Sequence, residues 1–468
     1  MPFSSFLAAL FQSLAREGVR FCVLRNYEGF PSANAGNDID FLILPSELPR
    51  AIRALRSIRQ VRISGYTELP FVANVFLAGV CPAPGSRALQ IDFDLNLTWK
   101  GLPYLSAEAV LEAAIPRQAG NLEFFVPSPV HEAIISLFGS LLIGGWLKEK
   151  YFPGVQRTFA GDRSGAIAAL LPQFGDKAAT GLVDAVIDGS RDRILGCIGP
   201  LRASLARRSL LRRPVRGALS VARHYARVFA FRHSPQQLET VCVLGSDSCG
   251  KTQLIEALAP MLRSSAGVVE KRLLPRRPPC ASEASGAHAG ADSSAGSSRG
   301  PLVSMAKLVF ELLKEWRSRF AEKKALTLCI FEGYDLLAGP QRRHDGGPMW
   351  FARLAGRLFP SPDLWLLLAA DLDAIGDADA DGRESKGEEA LPPEEFRRPE
   401  AGRSFAKAGN RRVLLDASQA AGSVAEEAYA AIIDTLAGRA ARQLKRRFRA
   451  LDAADAAGGN EGRTGGRA

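Results

Sequence analysis

The chain of 468 residues is short of several things, and each shortage narrows what it can be. Its seven cysteines and five histidines form no CxxC pair and no cysteine/histidine cluster. Neither a zinc site nor a disulfide framework is therefore expected, and a reducing cytoplasm suits the composition. No run of 18 uncharged apolar residues occurs. The longest candidate, 133–147, is too short and contains Gly139, Gly144 and Gly145, which argues against a membrane-spanning helix. The first residues carry no basic lead before their apolar stretch, so no secretory signal is expected there. Large apolar side chains are scarce over 275–301, which is rich in Pro, Ser, Gly and Ala and reads as a disordered insertion.

Acid is missing from one long stretch. Between residues 194 and 238 there is no Asp or Glu, while nine arginines fall within 202–232, among them Arg207, Arg208, Arg212 and Arg213. Leu205, Leu210, Leu211, Val215, Leu219, Val228, Phe229 and Phe231 are interleaved with them. The pattern suits an amphipathic helix that meets acidic lipid or a phosphate-rich partner, or a connecting helix whose arginines are solvated. No motif that reads base edges accompanies it, so sequence-specific nucleic-acid recognition is not expected.

What is present is a 47% hydrophobic chain with a net charge of +11, enough for two or three domains. The most telling stretch is Val241-Cys242-Val243-Leu244 followed by Gly245-Ser246-Asp247-Ser248-Cys249-Gly250-Lys251-Thr252. A buried strand runs into a glycine-bounded loop, and a helix follows over 253–262. This is the GxxxxGK[ST] pattern of a phosphate-wrapping loop. The backbone N–H groups of residues 245 to 250 can cradle a nucleoside triphosphate such as ATP, with glycine at each end permitting close approach. Lys251 reaches the outer phosphates, Thr252 offers its hydroxyl to Mg²⁺, and the helix N-terminus faces the same anion.

The N-terminal part reads as a helix over 3–17 ended by Gly18, a short strand at 21–24, a turn, and a second strand from residue 36 to 44. Alternation puts Asp38 and Asp40 on one face, and a further strand over 89–95 supplies Asp92, with Asp94 next. Carboxylates so placed suit a divalent cation. From 106 onward the chain reads mostly helical, with Ser128 placed to cap a helix beginning at Val130 and with His131 as an ordinary helix residue. Beyond the loop helix, a helix over 303–320 leads to a strand that ends in Glu332, where a carboxylate beside bound phosphates can position the metal or the acceptor.

Two resemblances follow from these residues. The Asp38/Asp40 pair with Asp92 resembles the nucleotidyltransferase fold, in which a DxD pair and a third acid hold the catalytic metal. Where that family has a Gly-Ser pair this chain has Leu24-Arg25-Asn26, and Arg25 stands where phosphate contact is expected. The second resemblance is to thymidylate kinase-like P-loop proteins of bacterial surface-polysaccharide clusters. It rests on Asp247 within the loop, on Tyr334-Asp335-Leu336-Leu337 with the residues through Pro348, on the 360–368 strand, on Ser385-Lys386-Gly387-Glu388 in the lid, and on Val413-Leu414-Leu415-Asp416. It covers about 238–440. It implies an α/β architecture with a P-loop kinase-like parallel sheet, and phosphoryl transfer from ATP to a small acceptor. Asp247 and Glu332 would place the metal or the acceptor, and Arg342, Arg343 and Arg383 would neutralise charge on the transferred group. The family's Asp-Arg pair is replaced by Phe331-Glu332-Gly333 and its lid arginine by Ser385. A nucleotide-sensing regulator of a membrane-associated assembly is accordingly the alternative to a phosphotransferase. The organisation expected is a nucleotidyltransferase-like domain over 1–105, a helical connector over 106–237, the P-loop domain over 238–440 and a flexible tail over 441–468.

Overall fold

The structure, a computed structural model, describes residues 1–32, 38–82, 87–212, 214–233, 239–245, 249–262, 265, 268–273, 327–332, 363–369 and 411–458. The insertion expected over 275–301, the helix over 303–320, Arg342, Arg343, Arg383, Ser385 and the loop residues Ser246, Asp247 and Ser248 lie outside them. The fold is mixed α/β, in two compact units: Met1–Ser234 together with Ala437–Ala468, and Pro235–Leu436.

The first unit is built on a five-stranded sheet of β1 (Phe21–Val23), β2 (Asp38–Ile43), β3 (Arg62–Glu68), β4 (Val72–Ala78) and β5 (Ala88–Asp94), in the order β1-β2-β5-β4-β3. β2 and β5 are parallel; the other pairs are antiparallel. Alternation along the strands gives the sheet two different faces. Ile39, Phe41, Ile43, Ile91 and Phe93 face a core shared with α1 (Phe3–Arg16) and α2 (Leu48–Arg56). Leu24 and Leu42 face a second core, made with the helices that come later in the chain. α1 forms because Phe6, Leu7, Leu10 and Leu14 recur at helical spacing, and it stops where Gly18 takes a φ of +64°.

The stretch expected to be a separate helical connector belongs to this same unit. Two short strand pairs open it, β6 (Thr98–Trp99) with β7 (Leu102–Pro103), and β8 (Ile115–Ala119) with β9 (Leu122–Val126), separated by α3 (Ala107–Glu112). The helices α4 (Pro129–Gly144), α5 (Phe152–Gly161), α6 (Arg163–Phe174), α7 (Asp176–Ile187), α8 (Arg191–Gly196), α9 (Ile198–Arg212) and α10 (Pro214–His233) follow. Phe138, Phe159, Leu182, Leu201 and others close over the second face of the sheet. Ser128 occupies the N-cap position of α4, but its side chain makes no capping hydrogen bond; Pro129 starts the helix instead.

The second unit carries a parallel sheet of β10 (Glu239–Gly245), β11 (Val268–Leu273), β12 (Thr327–Glu332), β13 (Leu364–Ala369) and β14 (Arg411–Asp416), in the order β11-β12-β10-β13-β14. α11 (Lys251–Leu262) follows β10 and buries Leu254, Ile255, Leu258 and Leu262. β13 is held at its start by reciprocal bonds, Thr240 N–H to Asp363 Oδ2 at 2.9 Å and Asp363 N–H to Thr240 O at 2.8 Å.

The flexible tail expected from 441 is corrected by α12 (Ala421–Gly458), which stays helical well beyond that point. Leu444 (2% exposed) and Phe448 join the core of the first unit, Phe448 meets Tyr66 edge-on, and Arg447 makes two hydrogen bonds to Glu68 at 2.7 and 2.8 Å. Burial of these apolar side chains holds the segment despite its many charges. Leu444→Ala is therefore expected to destabilise the first unit by about 2–3 kcal/mol, as loss of a buried leucine does. Chemical denaturation of the full chain measures it, and an unchanged midpoint would return residue 444 to a loose tail.

Candidate functional site

The candidate nucleotide site follows from the strand order. β10 is the middle strand, and its two neighbours, β12 and β13, lie on opposite sides of it and both come later in the chain. In open parallel sheets the crevice at the carboxyl ends of the strands, where the order reverses, receives ligands. The loop after β10 opens at that point, and α11 begins on its far side. Gly245 is the last residue of β10; a Cβ there would collide with Cys249 Sγ and come within 2.8 Å of Leu368 O. Gly250 has a φ of +80°, which a residue with a side chain adopts only under strain. Lys251 is 8% exposed, and its ammonium donates to Gly245 O at 2.8 Å, across the loop. Thr252 is exposed in the first turn of α11. Glu332 ends β12, in register with Val243 of β10 and Leu273 of β11. Cys249, Gly250, Lys251 and Thr252 are thus gathered at one end of the sheet together with the backbone of Gly245.

The second candidate site lies on the sheet of the first unit. The parallel register pairs Asp40 with Asp92 and Leu42 with Asp94, and puts Asp38 opposite Gln90. Carboxylate oxygens of Asp38, Asp40 and Asp92 lie within 4.8 Å of one another. The three residues singled out from strand alternation are therefore brought together, on the face that looks toward the later helices. Each offers the hard oxygen ligands that a divalent cation takes, and in spacing they fit one.

Arg25 changes what that cluster can do. Leu24 N–H donates to Asp40 O at 2.9 Å, extending the β1–β2 ladder and carrying Arg25 to the edge of the acidic group. Its guanidinium then grips both oxygens of Asp40, Nε to Oδ2 at 2.6 Å and Nη2 to Oδ1 at 2.9 Å. Asp40 is only 2% exposed. The arginine expected at a phosphate is instead committed to a carboxylate, because the planar fork matches a carboxylate that would otherwise be buried without a counter-ion. A cation entering here competes with Arg25 for Asp40. Sequence reading placed the three acids but missed this pairing, along with Asn74 and Gln90.

Those two amides donate to Asp92 Oδ1, at 2.6 and 2.8 Å. Even so, burial pushes the Asp92 carboxyl up to about 6, with Asp40 and Asp38 adding to the rise against the two amides. Burial and then the Asp40 charge raise Asp38, and the same two causes hold Asp94 well above the usual carboxylate range. A carboxyl raised on folding binds more protons in the folded than in the unfolded chain. Stability therefore falls as pH climbs from the unfolded value, near ~4, through the raised one. In chelator, Asp92→Asn is expected to remove on the order of 3 kcal/mol of that decline, Asp38 and Asp94 keeping the rest. Denaturant titrations across this window check it, and an identical slope in the variant would contradict the raised value.

His131, read as an ordinary helix residue, lines an opening of about 470 Å³ between the starts of α4 and α6, and its Nδ1 is buried without a hydrogen-bond partner among the described residues. Among the described residues no helix is long and apolar enough to cross a membrane. Set against known proteins, the chain matches no family model and no curated relative.

Proposed function

We propose that this chain binds ATP with Mg²⁺ at the loop 245–252 and transfers the terminal phosphoryl group to a small acceptor, a nucleotide or a sugar intermediate of surface-polysaccharide metabolism. The observation that carries this reading is the position of the loop's ends: Gly245 stands at the carboxyl end of the middle strand of a parallel sheet, at the reversal of strand order, and the Lys251 ammonium that opens α11 donates back to Gly245 O. Lys251 would bridge the phosphates and Thr252 would hold the metal. Glu332 and Asp247 would position the metal or the acceptor, and Arg342 and Arg343 would neutralise charge on the transferred group. The acceptor class and the thymidylate kinase-like and nucleotidyltransferase-like assignments rest on the resemblances of sequence.

One observation favours a second reading, a nucleotide-sensing regulator. In the acidic cluster of the first unit Asp40 is already held by Arg25, which would suit a domain that carries out no transfer chemistry. ATP consumption by the purified protein, measured across nucleotide and sugar acceptors with Lys251→Ala as control, separates the two. Turnover stimulated by an acceptor supports the phosphotransferase. Tight ATP binding without turnover supports the sensor, and no binding removes both.

A further inference from the structure

The arginine-rich stretch becomes two helices with different duties. Part of it is structural: Arg202 donates to Leu142 O, with Nη2 at 2.6 Å, and Arg212 Nη1 to Pro172 O at 2.7 Å, fixing α9 to the helical layer. α10 turns one side inward. Gly217 is buried, Ser220 Oγ donates to Gly101 O at 2.7 Å, Val221 packs on the second core and His224 stacks on Phe71. The opposite side is apolar and largely exposed: Val215 is 78% exposed, Leu219 54% and Phe229 63%, and Leu211 at the end of α9 is 73% exposed. At 100° per residue, positions 215, 219 and 229 fall on one stripe, and Arg216, Arg223 and Arg227, all exposed, fall along its flank.

We infer that this face of α10, with the end of α9, docks on an anionic lipid surface: the apolar stripe enters the headgroup boundary while the flanking guanidiniums meet lipid phosphates and carboxylates. Charge complementarity selects this occupant. No carboxylate lies between residues 194 and 238, and Glu68, the acid that Arg227 faces, is already held by Arg447, so a second copy meeting this face with its own would bring arginines against arginines. A nucleic-acid backbone would answer the arginines but leave the aliphatic stripe in water. An amphipathic helix with basic residues beside an exposed Leu/Val/Phe stripe is suited to an anionic interface, and the attraction is screened by salt. The inference is independent of what the loop 245–252 binds.

The test is co-sedimentation of the full chain with phosphatidylcholine vesicles, with and without a third of phosphatidylserine. Binding to the anionic vesicles alone, released by high salt, is expected. Arg216, Arg223 and Arg227 changed together to Gln should lower the partition by about a hundredfold, and Leu219→Ser with Phe229→Ser by at least about tenfold. All five side chains are exposed, and circular dichroism should report an unchanged fold. Absent binding, equal binding to both vesicle types, or binding unchanged in either variant overturns the proposal. So does an RNA oligonucleotide that binds the Leu219/Phe229 variant as well as the unaltered chain and displaces vesicles from the latter, which would assign the face to nucleic acid. Self-association in sedimentation velocity that is lost in the Leu219/Phe229 variant would assign it to a second copy.

Discussion

Lys251→Ala is expected to lower the affinity for Mg²⁺–ATP by roughly tenfold to a hundredfold while leaving the fold intact. Lys251 opens α11, at the positive end of the helix dipole, where a cation is unfavourable for the helix itself. Helix formation therefore does not explain a lysine there; an anion held at the same N-terminus, as proposed, would. The ammonium rests on Gly245 O, and on the proposed reading that bond would be exchanged for phosphate oxygens. A charge-assisted hydrogen bond is worth about 1.5–3 kcal/mol net, which gives the affinity range stated. Isothermal titration of Mg²⁺–ATP into both proteins measures the effect. Equal affinities would mean that the loop does not receive the phosphates.

The strand β10 and the helix α11 that flank the GxxxxGKT stretch were legible because their requirements are local. A strand of Val and Leu, a glycine at each end and a lysine opening an apolar helix are all contiguous, and GxxxxGKT preserves their spacing. Asp38, Asp40 and Asp92 were legible for a related reason: with a period of two, Ile39, Phe41, Ile91 and Phe93 claim the core side and the acids must share the other. β3 and β4 were not, since 62–68 mixes Gly65 with polar residues and 72–78 is apolar but for Asn74 and does not alternate; their pairing decides them. The grip of Arg25 on Asp40 depends on a ladder between β1 and β2, a tertiary contact that no short motif encodes. In α12 a clue was available. Leu436, Ala440, Leu444 and Phe448 recur every four residues and are all buried, but Lys445-Arg446-Arg447 and Arg449 among them resemble a solvated tail.

Arg25→Met is expected to destabilise the first unit by about 2–4 kcal/mol in the absence of divalent ions, somewhat less than the roughly 3–5 kcal/mol for breaking a fully buried pair. The reduction reflects the arginine side chain, which is 34% exposed, whereas that of Asp40 is 3% exposed. Methionine keeps the aliphatic stem and removes only the charge and its hydrogen bonds, so Asp40 is left buried beside Asp38, Asp92 and Asp94 without its counter-ion. Its thermal transition in chelator should fall by roughly 5–10 °C. Adding Asp40→Asn removes the stranded charge as well and should restore much of the loss, because the penalty lies in the unpaired carboxylate more than in the missing bond. Mn²⁺ provides the other readout. With Arg25 absent, both Asp40 oxygens become available to a cation held with Asp38 and Asp92, so the ion should raise the transition of Arg25→Met more than that of the unaltered protein, and should not do so once Asp40→Asn is added. A single Arg25→Met variant as stable in chelator as the unaltered chain would show that Asp40 does not depend on the arginine. Equal transitions with and without Mn²⁺ in every variant would show that the three carboxylates, close as they are, do not form a cation site.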